Sequence, residues 1–128
     1  NVVFLMREII IRMEVLCMTD CLFCKIINKE IPSEIIFESS NVLAFMDINP
    51  AAPFHCLIVP KEHYSSMITV DPGIVAELAS AIQVIAREND LEEKGFRVVN
   101  NCGEYGQQTV DHLHFHLLGK RQFNWPPG

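Results

Sequence analysis

The sequence predicts an α+β fold, a five-stranded antiparallel sheet carrying one short and one long helix. Three observations point to it. Short β-prone runs follow one another with brief connections, which suits antiparallel pairing rather than the long crossovers that parallel strands need. One longer stretch has the apolar spacing of a helix of several turns. The 128 residues, 49% of them apolar, suffice for a single domain with its own core.

Each element has a local reason. Leu22, Phe23, Ile26 and Ile27 follow Cys21 at helical spacing. Lys29-Glu30-Ile31-Pro32 ends that short helix, because the residue before a proline avoids the helical region. Residues 35–38 and 42–47, separated by Ser39-Ser40-Asn41, read as a hairpin. Asn49-Pro50 turns the chain into a buried third strand over residues 55–59, closed by Pro60. Asp71 caps the long helix and Pro72 suits its first turn. Ile74, Leu78, Ile82 and Ile85 form its apolar stripe, widened by Val75, Ala79 and Ala86, and it ends near Asn89. Residues 96–100 and 113–118 are the last strands, bracketing a glycine-containing loop over 102–108. The domain is expected over residues 18–128. Residues 1–17 precede it as an extension of unknown role, an apolar stretch broken by Arg7, Glu8, Arg12 and Glu14, with neither a signal peptide nor a membrane span expected.

Composition narrows the function. A net charge of −6 argues against a general nucleic-acid binder, which needs a basic face to neutralise phosphates. A single nucleotide is compatible, since one phosphate group needs only local donors. The cysteines (Cys17, Cys21, Cys24, Cys56, Cys102) are odd in number, and Cys56 lies in an apolar run. A reducing, cytoplasmic compartment is therefore expected, with Cys21-x-x-Cys24 a metal or redox pair rather than part of a disulfide framework.

The strongest chemical signal is His112-Leu113-His114-Phe115-His116. On a strand, alternation places the three imidazoles on one face while Leu113, Phe115 and Leu117 enter the core. Imidazole titrates near neutrality, so one neutral ring can attack an electrophile while a protonated neighbour offsets charge or donates to a leaving group. The same spacing could equally supply ligands to a catalytic zinc. Spacing alone leaves these readings level. The loop Gly103-Glu104-Tyr105-Gly106-Gln107-Gln108-Thr109-Val110 favours the first, since it offers amides, a hydroxyl and turned backbone N–H groups to an anion.

With these residues in hand, the sequence resembles the histidine triad (HIT) family, whose signature of histidines alternating with apolar residues reads here His112-Leu-His114-Phe-His116-Leu-Leu. The resemblance covers about residues 21–128. Phe45-Met-Asp47-Ile48-Asn-Pro-x-Ala-Pro-x-His55, Ile58-Val-Pro-Lys-x-His63, Arg97-Val-Val-Asn100 and the ending Trp125-Pro-Pro-Gly128 all look like its Hint branch, the purine nucleoside phosphoramidases.

The resemblance implies a HIT-like fold that dimerises into a continuous ten-stranded sheet, the tail approaching the partner's site. It implies cleavage at the α-phosphorus of a purine nucleoside phosphoramidate, with His114 as nucleophile and a nucleotidyl-histidine intermediate. His116 and His55 match the flanking imidazoles that assist proton movement. Asn100, Gln107 and Thr109 match contacts to phosphate oxygens, Asp47 the acceptor of ribose hydroxyls. Phe23, Phe45 and Ile48, with Leu22 and Ile26, match an apolar base pocket. The loop is one residue longer than in eukaryotic members, so the glutamine in question is Gln107 or Gln108. Asp111 stands where relatives carry an aromatic residue or proline, and its carboxylate is expected to raise a neighbouring imidazole's pKa. Alternative functions are hydrolysis of dinucleoside polyphosphates, or nucleotide binding as a scaffold with little activity.

Once the resemblance assigns His55, His114 and His116, the remaining histidines are His63 and His112. With Cys21 and Cys24 they give a Cys₂His₂ set, the composition of structural zinc. This too resembles a subset of bacterial HIT proteins, in which the metal ties the short helix to the histidine strand without taking part in the chemistry.

Overall fold

The computed structural model describes residues 20–128; the extension expected over residues 1–17 lies outside them. The order is α1 (Leu22–Ile27), β1 (Ile35–Glu38), β2 (Val42–Met46), β3 (Phe54–Pro60), α2 (Pro72–Glu88), β4 (Phe96–Asn100) and β5 (Phe115–Gly119). The strands form one antiparallel sheet in the order β1-β2-β3-β5-β4. The predicted fold class and every predicted element are present.

The two helices lie on opposite faces, which explains why β2 and β3 are nearly continuous apolar runs rather than alternating ones. Ala44, Cys56, Ile58 and Leu117 pack under Leu78, Ala81 and Ile85 of α2. On the other face Leu43, Phe45, Leu57 and Val59 pack under Phe23, Ile26 and Ile27 of α1. A helix of 6 residues has no stability of its own, so α1 depends on this packing. The predicted Asp71 cap and the end near Asn89 are observed. The Gly73 N–H donates to Asp71 Oδ1 at 2.9 Å, and Asn89 closes the far end by donating Nδ2 to the Ile85 carbonyl at 2.8 Å. Among the described residues no helix is long and apolar enough to cross a membrane.

Among the boundaries that differ from expectation, two concern the site. β2 ends at Met46, leaving Asp47 in the turn that follows. β5 begins at Phe115, two residues later than predicted, so Leu113 and His114 precede the ladder. The cause is local. The Leu113 N–H donates to the Tyr64 carbonyl at 2.7 Å, not to a strand, and the His114 carbonyl accepts from the Asn100 side chain at 3.0 Å. Alternation nevertheless continues past the end of the strand, with Leu113, Phe115 and Leu117 all on the α2 side.

Candidate active site and metal centre

His114 is 4% exposed, its ring edge-on to Phe23 with centroids 5.0 Å apart. Its Nδ1 lies 2.8 Å from the His112 carbonyl oxygen. A carbonyl only accepts, so Nδ1 carries a proton, and in the neutral ring Nε2 keeps a bare lone pair. Nε2 has no hydrogen-bond partner among the described residues, yet no buried side-chain nitrogen among those residues is left unsatisfied. It follows that Nε2 opens to solvent. The ring is buried, but that nitrogen reaches solvent.

His116 lies beside it, ring centroids 5.0 Å apart, and is joined to His55 through Nδ1 and Nε2 at 2.9 Å. The proton in that contact can also be placed. The Ala51 N–H donates to His55 Nδ1 at 3.0 Å, so His55 holds its proton on Nε2 and donates it to His116 Nδ1. His116 therefore presents Nε2–H as a donor. Asp47 Oδ2 lies 3.5 Å from His55 Nε2, while its Oδ1 accepts from the Asn49 N–H at 2.8 Å. Burial pushes His116 down to about 4, aided by His114 and His55 and opposed by Asp47. Burial likewise lowers His55. The protonated neighbour expected from sequence is thus a neutral hydrogen-bond donor in the free protein.

These shifts predict acid sensitivity. Above the ordinary histidine value of 6.5 the rings are neutral folded or unfolded and contribute no pH dependence. Between 6.5 and about 4 only the unfolded chain takes up the His116 proton, so stability falls as pH falls, and the loss is complete below about 4. Thermal melts from pH 7 to pH 4 should show Tm declining through this window, less steeply after His116→Gln. A flat profile would contradict the assignment.

The other expected residues divide. Asn100 donates Nδ2 to the His114 backbone, which makes it a brace for the histidine. Gln108 is engaged within the loop, its Nε2 donating to the Ser65 and Val110 carbonyls and its Oε1 accepting from the Gly103 N–H. Gln107 and Thr109 have exposed side chains. Of the two glutamines, Gln107 is the one with an exposed side chain. Gly106 is required sterically, since a Cβ there would collide with the Cys102 carbonyl oxygen. Phe23, Phe45 and Ile26 belong to the core under α1, whereas Leu22 and Ile48 are exposed at 45% and 89%. Asp111 is exposed and is not among the groups acting on His112, which burial lowers to about 4. The expected carboxylate effect is absent from His112.

Cys21, Cys24, His63 and His112 bring four ligand atoms within 4.8 Å of one another. A tetrahedral zinc with bonds of ~2.3 Å to sulfur and ~2.0 Å to nitrogen sets ligand–ligand edges of about 3.3–3.8 Å. His112 Nδ1 lies 3.4 Å from Cys21 Sγ and 3.6 Å from Cys24 Sγ. His63 Nδ1 lies 3.4 Å from Cys24 Sγ and 3.1 Å from His112 Nδ1. The proton placement also fits: His112 Nε2–H donates to the Pro60 carbonyl at 2.8 Å, leaving Nδ1 bare for a metal. Asp47, His55 and His116 also converge within 4.8 Å, but there Ala51 occupies the outer nitrogen of His55 and forces a proton onto the inward one. That second cluster has a donor set suited to moving protons rather than to holding an ion.

The HIT domain family model matches residues 28–123. The chain belongs to the HIT family. A 14 kDa zinc-binding protein of Zea mays is 47% identical over 112 residues, covering 84% of this chain and 87% of the relative. An adenylylsulfatase HINT1 of Arabidopsis thaliana is 44% identical over 112 residues, covering 84% and 76%. The crystal structure of a HIT family hydrolase from Legionella pneumophila superposes with a TM-score of 0.82 at 45% identity, covering 85% of this chain and all of that one.

Within this HIT domain several contributors were not found from sequence. Three are backbone groups, the Ala51 amide and the Pro60 and His112 carbonyls, and any residue supplies those. Asn101, which donates to the Gly106 carbonyl at 2.6 Å, shapes the loop. Arg97 and Arg121 place their guanidiniums 5.0 and 4.2 Å from the Phe123 ring centroid, and Arg121 also donates to the Ala51 carbonyl, strapping the tail beside the His55 turn. Only Arg121 lies near Phe123 in the sequence, and Arg97 comes from β4, so this pairing leaves no local signal.

Proposed function

We propose that this HIT domain is a nucleotide hydrolase or transferase that cleaves the bond between the α-phosphorus and the leaving group of purine nucleoside phosphoramidates. The observation that carries this reading is the bare, solvent-open Nε2 of His114 beside the donor Nε2–H of His116. His114 Nε2 attacks phosphorus, and the bond to the leaving amine breaks. His116 donates to a phosphoryl oxygen as charge builds, and the amine departs with a proton from solvent. Water then attacks the nucleotidyl-histidine and returns the electron pair to Nε2. Gln107 and Thr109 contact phosphate oxygens and Asn100 steadies the peptide behind the nucleophile. Asp47 accepts from ribose hydroxyls, and the base rests against Leu22 and Ile48 over Phe23, Phe45 and Ile26. The Arabidopsis relative's name supports an adenylyl donor as substrate class.

The Cys₂His₂ set holds a structural zinc in this reading, which supplies cross-linking of α1 to the triad rather than chemistry. The Zea mays relative's name agrees. A homodimer pairing through β4 is supported by that strand's edge position and by Phe96 and Val98, exposed at 41% and 39%. A cytoplasmic setting suits the odd number of cysteines. The test is to quench a reaction with an adenosine phosphoramidate in base and map the nucleotidyl adduct by mass spectrometry. The adduct is expected on His114; an adduct elsewhere, or none during active turnover, overturns the mechanism.

A further inference from the structure

The residues that orient the nucleophile are not held by the sheet. His112, Leu113 and His114 precede the β5 ladder, and their anchors are few: Leu113 N–H on Tyr64, Asn100 on the His114 carbonyl, and the ring of His112. That ring is 0% exposed and is gripped by both cysteine sulfurs, while the same residue's carbonyl fixes the proton on His114 Nδ1. Cys21 and Cys24 therefore act on the nucleophile through one intervening residue.

The two sulfurs are also placed to react with each other. Cys21 caps the first turn of α1, its Sγ accepting from the Cys24 N–H at 3.4 Å, and both sulfurs lie in the cluster spanned by 4.8 Å. Cys24 is buried but Cys21 is only partly so, which gives a small oxidant one point of entry.

We propose that Cys21 and Cys24 form an oxidation site at which a hydroperoxide closes a disulfide, expels the metal and releases His112, so that His114 loses its orientation. The proposal rests on the zinc reading above. In the first step the Cys21 thiolate attacks the peroxide; its O–O bond breaks, an alkoxide or hydroxide leaves, and Cys21 becomes a sulfenic acid. The Cys24 thiolate then attacks that sulfur, the S–S bond forms and hydroxide leaves. Two electrons pass from the sulfurs to the peroxide. A disulfide is no longer a pair of anionic ligands, and two histidines alone do not retain the ion. Because one misplaced peptide can shift the attacking atom, turnover falls through kcat rather than KM.

The experiment uses the zinc-loaded full chain carrying Cys17→Ser and Cys102→Ser. Cys56 is left in place, because burial pushes its thiol up to about 12 and keeps it unreactive. Hydrogen peroxide is added in steps. Zinc release to a chromogenic chelator is expected to track the loss of two hydrogen masses, mapped to a disulfide between residues 21 and 24. Turnover of an adenosine phosphoramidate falls about 10- to 100-fold, nitrogen-15 spectra show His114 leaving the Nδ1–H tautomer, and a thiol reductant with added zinc restores both. A disulfide that forms while turnover and the His114 tautomer stay unchanged overturns the proposal. So does zinc release with no disulfide. Protein that holds no zinc after growth in metal-replete medium overturns the zinc reading itself.

Discussion

Replacing His114 with alanine should abolish turnover, by on the order of 10⁴-fold or more, while the domain stays folded and nucleotide binding persists. The size follows from the role. Without Nε2 there is no atom to carry the nucleotidyl group, and neither His55 nor His116 can substitute, since each has a ring nitrogen committed to the contact between them. The modest structural cost also follows from geometry. The ring makes one hydrogen bond, to a carbonyl of its own segment, and an edge contact to Phe23, so truncation leaves a small cavity worth about 1–3 kcal/mol. Steady-state turnover, calorimetric binding of AMP and a thermal melt separate these effects. Turnover within tenfold of the parent would remove His114 from the mechanism.

Cys24→Ala should produce the largest change in stability. Cys24 is 2% exposed, and its sulfur touches both His63 and His112, so its loss opens the ligand shell from inside. Metal content is expected to drop from near stoichiometric to near zero by atomic emission. The cross-link it removes joins α1, the segment after β3 and the triad, and its loss should cost roughly 3–5 kcal/mol, a fall in Tm of about 10–20 °C for a domain of this size. Cys24→Ser, which nearly preserves volume, should lose the metal equally and so separate coordination from packing. Variants that retain zinc and melt with the parent would show that the cluster is not a metal centre.

Much of this architecture was legible in the residues. Asp71-Pro72 and Asn89 mark the ends of α2 because capping is local chemistry, and the histidine alternation holds because side-chain direction persists wherever backbone stays extended. The start of β5 was not legible. Whether Leu113 pairs with a strand or with Tyr64 depends on a residue far along the chain, and nothing near Leu113 encodes that choice. The zinc set was read through histidines left over after a resemblance had claimed the rest, and the structure brings those four residues together independently. Phe23, Phe45 and Ile26 hold up the helix first, and only Leu22 and Ile48 have apolar surface to spare. The glutamine ambiguity needed coordinates, since Gln107 and Gln108 differ only in the direction the loop turns them.

Neighbouring histidines in this domain are given different occupations by main-chain atoms. The carbonyl at Pro60 faces the far nitrogen of His112, the carbonyl at His112 faces the near nitrogen of His114, and the amide at Ala51 faces the outer nitrogen of His55. Anyone grafting this constellation onto another scaffold would have to transplant those three peptide groups along with the imidazoles. A graft that copied the side chains alone would leave each ring free to choose its own protonation, and bare and proton-bearing nitrogens would become interchangeable.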